Sequence, residues 1–397
     1  MNILIVASKF PPEYSGPGVR IPRLYKAIAA DLGIARIDVL CGGIEYHDNA
    51  DYEHEGFHVR RRAASFLRKQ NFLPARLTNF LAYNVETIIG LRALKHYKNI
   101  DLVHIIGHCG HTAAALHWAR RRNIPVLMEL VNAQARPCQK FFVFGKVCPP
   151  ENSVIVVLND ELEKVCRDAG FSKQVWKRPN PVDETVFSPD PERKMDFRRK
   201  ISPFNTEDIV ITSVAKMIPR KNQIFLVDVL RHLPERYKLI LAGSAVKEGP
   251  LAARDRAYIE NIKARVAEYG LQNRVHLAAG YVDSSLYMKA SDIYALPAWD
   301  EGLGTPMIEA LSCGVPVVAN ADEAAFREYI RDGQNGFLCS LENPQYWASS
   351  IEKAASFPLE QRLKEASLMQ TLASQSKIYD EYKRHLGVLL AKRKETL

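Results

Sequence analysis

Asp300-Glu301-Gly302-Leu303-Gly304-Thr305-Pro306-Met307-Ile308-Glu309 is the stretch on which the reading of this chain turns. Asp292-Ile-Tyr-Ala-Leu-Pro297, an apolar β-type run ending in proline, comes before it. Ala310-Leu-Ser-Cys-Gly-Val-Pro-Val-Val318 follows, reading as a short helix, a stop and another buried strand. Thr305 suits an N-cap, Pro306 the first helical position and Gly314 the residue past the C-terminus. The pattern therefore predicts a strand, a glycine-bearing loop and a helix N-terminus. Exposed N–H groups and the helix dipole at such a point seat an anion, typically phosphate. Glu301 falls in the loop and Glu309 in the expected first turn, so an acid flanks each side of the seat, useful for a ligand that also carries hydroxyls. The plainer alternative is that Glu309 complements the dipole and Glu301 is solvated. A capping box would put its acid at Ile308, so it does not account for Glu309.

The whole string resembles the Glu-x7-Glu signature of retaining nucleotide-sugar glycosyltransferases of family 4, including the Gly-x-Gly-x-Pro interior and Cys313-Gly-Val-Pro-Val-Val318. The resemblance implies an α/β chain of GT-B fold: two facing Rossmann-like domains with parallel sheets, and a C-terminal helix crossing back to the N-terminal domain. It also implies that Glu309 holds ribose hydroxyls, while Glu301 holds sugar hydroxyls and steadies positive charge at the anomeric carbon.

The chain of 397 residues is long enough for two or three domains, each with a core. With 47% apolar and 25% charged residues it has the composition of an ordinary globular protein. The net charge of +9 is uneven: residues 56–146 hold fifteen Lys/Arg against three Asp/Glu. Such a region fits an anionic lipid surface or nucleic acid, or is simply a solvated face. Seven cysteines are scattered at 41, 109, 138, 148, 166, 313 and 339, without C-x-x-C spacing, and read as reduced thiols of a cytoplasmic protein. The N-terminal run is too short for a signal sequence, and no run approaches the ~20 apolar residues of a membrane span.

The first half alternates strand-like runs (Asn2–Ala7, Ile37–Leu40, Phe57–Arg60, Leu102–Ile106, Pro125–Glu129, Val154–Leu158) with helical patterns, predicting a parallel sheet covered on both faces. Ligands of such sheets bind at the carboxyl ends of the strands. The turn-rich Phe10–Gly18 loop falls there. It resembles the glycine loop of GT-B acceptor domains, with Gly18 at the matching place. Residues 64–98 mix Phe66, Leu67, Phe72, Leu73, Leu77, Phe80 and Leu81 with Arg68, Lys69 and Arg76; an amphipathic basic helix of this kind either lies in a membrane interface or packs on the sheet. His104, His108, His111 and His117 lack an acid or cysteine at zinc spacing. The segment Asp101-Leu-Val-His104 resembles the strand that carries a histidine into the family's acceptor cleft. Ile106 stands at the place of the usual second histidine, which leaves His108, taken as a catalytic candidate, and His111 on the acceptor side. Where a later histidine is common the chain has Asn132.

Four prolines within residues 179–192 mark an interdomain crossing, and the segment resembles the family's Pro-Asn-Gly-Val-Asp linker. The domains expected are 1–180, a linker 181–206, 207–375, and a closing helix 376–397. A second α/β alternation starts at Asp208–Val214. Its first turn carries Lys216, Arg220 and Lys221, a credible diphosphate clamp. By resemblance Lys216 takes the place of the family's Arg and Lys221 that of its Lys. A lysine keeps the charge but loses the bidentate fork. Gly280-Tyr281 is the turn that the resemblance lays against the nucleobase.

The reading expected is a retaining glycosyltransferase that needs no metal and no cofactor beyond its nucleotide-sugar donor. Its donor-side residues are Lys216, Lys221, Gly304, Thr305, Glu309, Gly280 and Tyr281. Gly18, His104 and His111 lie toward a glycan or lipid-linked acceptor, and a place on the inner membrane surface is the further expectation. A nucleotide-sugar epimerase of the same fold lacks this Glu-x7-Glu form. A nucleic-acid module explains the basic segment but not a complete anion seat with flanking acids.

Overall fold

A computed structural model describes residues 1–13, 15–43, 48–63, 75–131, 139–141, 145–147, 150–245 and 251–395. The chain forms two units, Met1–Arg178 with Lys377–Leu397, and Pro179–Ser376.

In the first unit, eight strands follow the order β10-β9-β6-β5-β1-β2-β4-β3. They are β1 (Asn2–Ala7), β2 (Arg36–Cys41), β3 (Ala50–His54), β4 (Phe57–Arg61), β5 (Leu102–Ile106), β6 (Val126–Glu129), β9 (Ser153–Val157) and β10 (Val175–Lys177). β7 (Gln139–Phe141) and β8 (Gly145–Val147) form a separate antiparallel ribbon. All pairs in the large sheet are parallel except β3–β4. Strands of continuous apolar sequence, such as β1 and β5, are buried along both faces, as a helix-covered parallel sheet requires. β3 instead alternates half-buried and exposed residues and closes the edge as a hairpin. Its turn at Glu55-Gly56 takes positive φ at both residues. β4 falls where Phe57–Arg60 was expected, whereas β3 was not among the strand expectations, because its polar alternation carries little apolar signal.

Helices α1 (Gly16–Ile28), α2 (Ala75–Leu94), α3 (Gly110–Arg121) and α4 (Asp160–Asp168) belong to this unit, and the last helix, α13 (Gln375–Glu395), lies mostly within it. Tyr379, Tyr382, Leu386, Leu389 and Leu390 of α13 are buried in one core with Ile3, Ile5, Leu24 and Leu102. Their three-and-four spacing puts them on one face.

The second unit has six parallel strands: β11 (Ile209–Val214), β12 (Tyr237–Gly243), β13 (Val275–Ala279), β14 (Ile293–Leu296), β15 (Val317–Asn320) and β16 (Gly336–Cys339). Their order, β13-β12-β11-β14-β15-β16, reverses between β11 and β14, the switch point of a Rossmann sheet. The helices are α5 (Lys194–Ile201), α6 (Gln223–Leu230), α7 (Ala252–Glu268), α8 (Ser284–Ala290), α9 (Thr305–Ser312), α10 (Ala324–Arg327), α11 (Pro344–Ala355) and α12 (Leu359–Ala373). Trp347 of α11 is fully buried edge-on to Phe225 of α6, ring centroids 5.3 Å apart.

The expected linker 181–206 holds a structured element. α5 lies inside it, and Arg198 on that helix is buried, donating to the carbonyls of Asn205, Asp208 and Ala290 and pairing with Asp292 at 2.8 Å. Charged composition hid this helix, which is tied to the unit by buried Phe197 and Ile201 together with the buried cation Arg198.

Candidate functional site

β11 and β14 end side by side, and the chain leaving each builds the site. After β14, the loop reaches α9 through two left-handed residues, Asp300 (φ +57°) and Gly304 (φ +74°). A Cβ at Gly304 would sit 2.7 Å from the Phe326 ring, so only glycine fits. Gly304 is the N-cap, and the helix starts at Thr305. This corrects the expected cap at Thr305, whose hydroxyl instead accepts from Asn180 Nδ2 at 2.8 Å. Glu309 consequently moves one position further in, to the fifth helical residue and out of the first turn, where the dipole effect has faded. The helix ends as expected: Gly314 takes φ +73°, with Val315 N–H donating to Ala310 and Gly314 N–H to Leu311.

After β11, the chain makes a short 3-10 turn, Pro219–Lys221, closed by Asn222 at φ +53°. The turn brings two cations onto one carboxylate oxygen. Arg220 donates to Glu301 Oε1 at 2.7 Å and to the Asp300 carbonyl at 3.0 Å, and Lys221 donates to the same Oε1. Glu301 is only 7% exposed. Its Oε2 has no hydrogen bond among the described residues. Burial holds the Lys221 pKa below its ordinary value, opposed by the charge of Glu301. Lys216 is half-buried in the same turn, its carbonyl bound by Gln223 Nε2 at 2.9 Å.

Two further residues complete the arrangement, Tyr294 without any sequence signal and Glu323 readable in sequence only as an acid that opens a helix. Tyr294, on β14, is fully buried and donates to the Val214 carbonyl at 3.0 Å. Burial, then the charges of Glu309 and Glu301, push its pKa well above the ordinary phenol value. Glu323, just before α10, accepts from the backbone N–H groups of Asp300 and Glu301 at 2.7 and 2.9 Å. Its distance in sequence from the loop leaves no signal that pairs the two.

On the far side of β11, Gly280 N–H donates to the Gly243 carbonyl at 2.9 Å, and Tyr281 projects 79% exposed. A Cβ at Gly243 would meet the Ala215 carbonyl at 1.9 Å, so the β11 and β12 exits touch through backbone alone.

The first unit places its candidates differently. Gly18 lies inside α1 rather than in the loop before it. Its N–H is capped by Ser15 Oγ at 3.0 Å, and a Cβ there would stand 2.7 Å from that oxygen. His104 does not open toward solvent, as the acceptor-side expectation required. It is fully buried, with Nδ1 on Tyr25 OH at 2.8 Å and Nε2 on Glu129 Oε1 at 3.1 Å. Burial lowers its pKa, opposed by Glu129. Glu129 also pairs with Arg20 and with Arg178 (3.3 Å) and accepts from Tyr382. His111 is buried too, its Nδ1 against the Glu86 carbonyl at 3.1 Å and its Nε2 against the Arg62 carbonyl at 2.6 Å. His108 alone of the three is half-buried, its ring 5.4 Å from that of Tyr83, and burial lowers its pKa. Asn132, Phe66, Leu67, Arg68, Lys69, Phe72 and Leu73 lie outside the described residues. Among the described residues, no three His, Cys, Asp or Glu side chains group as metal ligands.

Residues 194–368 match the family described as Glycosyl transferases group 1. Over its full length the chain superposes on the crystal structure of Anabaena HepE in complex with UDP-glucose, with a TM-score of 0.68 at 17% identity, covering 100% of both chains. The chain has the GT-B fold, and its second unit carries a region matching glycosyl transferases group 1. Its group 1 domain carries Lys216, Lys221, Glu301, Gly304, Thr305, Glu309 and Glu323. The D-inositol 3-phosphate glycosyltransferase of Xylanimonas cellulosilytica is 28% identical over 71% of this chain and 69% of its own. The UDP-Gal:alpha-D-GlcNAc-diphosphoundecaprenol alpha-1,3-galactosyltransferase of Escherichia coli is 24% identical over 68% and 71%. Several further relatives align over only about half of their own length.

Proposed function

We propose that this chain is a retaining, metal-independent glycosyltransferase, moving a sugar from a nucleotide-diphosphate sugar to a glycan or lipid-linked acceptor. The observation that carries the reading is the switch point of the second unit, where Lys221 and Arg220 converge on Glu301 beside the N-terminus of α9. In the proposed reaction, Lys216, Lys221 and that helix N-terminus stabilise the departing diphosphate, each charge contribution being worth at most several kcal/mol. Glu301 turns Oε2 to the sugar hydroxyls and steadies positive charge at the anomeric carbon. Glu309 holds the ribose, and Tyr281 lies against the base. The first unit holds the acceptor, with half-buried His108 as the more accessible histidine and His104 as a buried support. The bond between the anomeric carbon and the diphosphate breaks on the face where the acceptor oxygen attacks, and the acceptor proton passes to the departing diphosphate oxygen, so configuration is retained.

A panel of labelled nucleotide sugars, read as transfer, hydrolysis or epimerisation with the product anomer assigned by NMR, tests this. Inversion of configuration, or loss of activity in EDTA with rescue by Mn²⁺, overturns the mechanism. Epimerisation alone overturns the activity.

A second observation favours a peripheral membrane position. On α2, Leu77, Leu81 and Ile88 are 43%, 36% and 38% exposed. At 100° per residue they share about 40° of arc, with exposed Arg92 and Lys95 continuing the same face. No helix among the described residues is long and apolar enough to cross a membrane, so this stripe would lie in the interface.

A further inference from the structure

Glu323 stands at the N-cap position of α10, yet its side chain makes no bond to that helix. Each carboxylate oxygen instead accepts from one of two consecutive N–H groups of the loop after β14: Oε1 from Asp300 at 2.7 Å and Oε2 from Glu301 at 2.9 Å. The same turn makes a further tie, because buried Asn320 donates Nδ2 to the Ala298 carbonyl at 3.1 Å. Three contacts from residues 320–323 thus fix residues 298–301. They hold Asp300 in a left-handed conformation that a side chain rarely adopts. Glu301 is the residue so presented, with Oε1 held by Arg220 and Lys221 and Oε2 left for a ligand.

We infer that Glu323 is a positioning residue for the reaction, setting the backbone from which Glu301 reaches the donor sugar. The inference rests on the proposed role of Glu301 and adds a residue outside the Glu-x7-Glu string. The chemistry is specific to a carboxylate. Two parallel N–H donors need two acceptor oxygens. A glutamine keeps the size but offers one oxygen and turns an NH₂ donor against the other N–H. An aspartate keeps both oxygens but is one methylene short.

Glu323→Gln is the test, read four ways. Affinity for UDP and GDP, which carry no sugar for Glu301 to touch, stays within about twofold. Turnover of the nucleotide sugar falls about tenfold to a hundredfold, the scale of a misplaced reacting group. The thermal midpoint stays close to that of the unmodified protein. Amide hydrogen exchange quickens at Asp300 and Glu301 but not along α9. Unchanged turnover or unchanged exchange at those two amides overturns the inference. So does a parallel loss of nucleotide affinity and thermal midpoint, which marks a structural role. If the unmodified protein processes no nucleotide sugar, the functional reading fails separately, and the exchange arm alone decides whether Glu323 holds the loop.

Discussion

The ammonium of Lys221 and the carboxylate of Glu301 form a buried ion pair, eighty residues apart in sequence, with Arg220 on the same oxygen. Removing one partner of such a pair leaves a poorly compensated charge in a low-dielectric place. Lys221→Ala and Lys216→Ala are each expected to cut turnover by roughly a hundredfold or more, the scale of one preorganised charge donor. Lys216→Arg keeps a cation able to grip phosphate with a fork and retains much of the activity. Steady-state kinetics with the donor panel checks this, and near-normal rates for the alanine variants contradict it.

Glu309 sits one turn into α9, where a dipole partner gains little, and the proposed function gives it the donor ribose. Glu309→Gln is expected to weaken donor binding about tenfold, the equivalent of about 1.4 kcal/mol. The helix tolerates glutamine there. Calorimetry with the nucleotide alone and with the nucleotide sugar checks it; unchanged affinity for both removes Glu309 from the ribose.

Acid is expected to loosen the first unit in two stages. Burial lowers the His104 pKa below its ordinary 6.5, so below that pH the unfolded chain takes up a proton that the folded one refuses, and stability falls. Burial alone would raise the Glu129 pKa, but Arg20, Arg178 and the bond from His104 overcome it and hold it well below 4.5. The stability this carboxylate contributes is present above 4.5 and is lost as pH drops further. Thermal midpoints measured from pH 8 to 4 are expected to be flat down to about 7, decline from about 6.5 and steepen below about 4.5. A flat profile across 7 to 5 contradicts the His104 stage.

The stripe on α2 predicts charge-selective membrane binding. Sedimentation is expected to show binding to anionic vesicles at low salt, weakened at high salt, with little binding to neutral vesicles. Replacing Leu77 and Leu81 with Asn is expected to reduce the bound fraction severalfold without altering turnover of a soluble acceptor. Equal binding to both vesicle types contradicts the basic face.

Much of the architecture was legible because its signals are local. Continuous apolar runs such as Ile3–Val6 and Ile293–Leu296 can only be buried strands, and glycines such as Gly304 and Gly314 stand where φ must be positive. Alternation of strand and helix then fixes a parallel sheet, and the loop–helix junction before α9 follows at a strand end. The cap shifted by one residue, from Thr305 to Gly304, because the nearby Phe326 ring admits only glycine there.

The sequence by itself determined the two α/β units, the loop–helix seat and the residue types at the switch point. Tertiary structure alone decided which groups meet: Lys221 and Arg220 on Glu301, Glu323 under Asp300 and Glu301, and Glu129 at the centre of His104, Arg20, Arg178 and Tyr382. Periodicity and capping act within a few residues of their cause, whereas these pairings join segments from tens to some 250 residues apart. Only the packing of strands and helices brings their charges within hydrogen-bond range, where burial makes each partner necessary to the other.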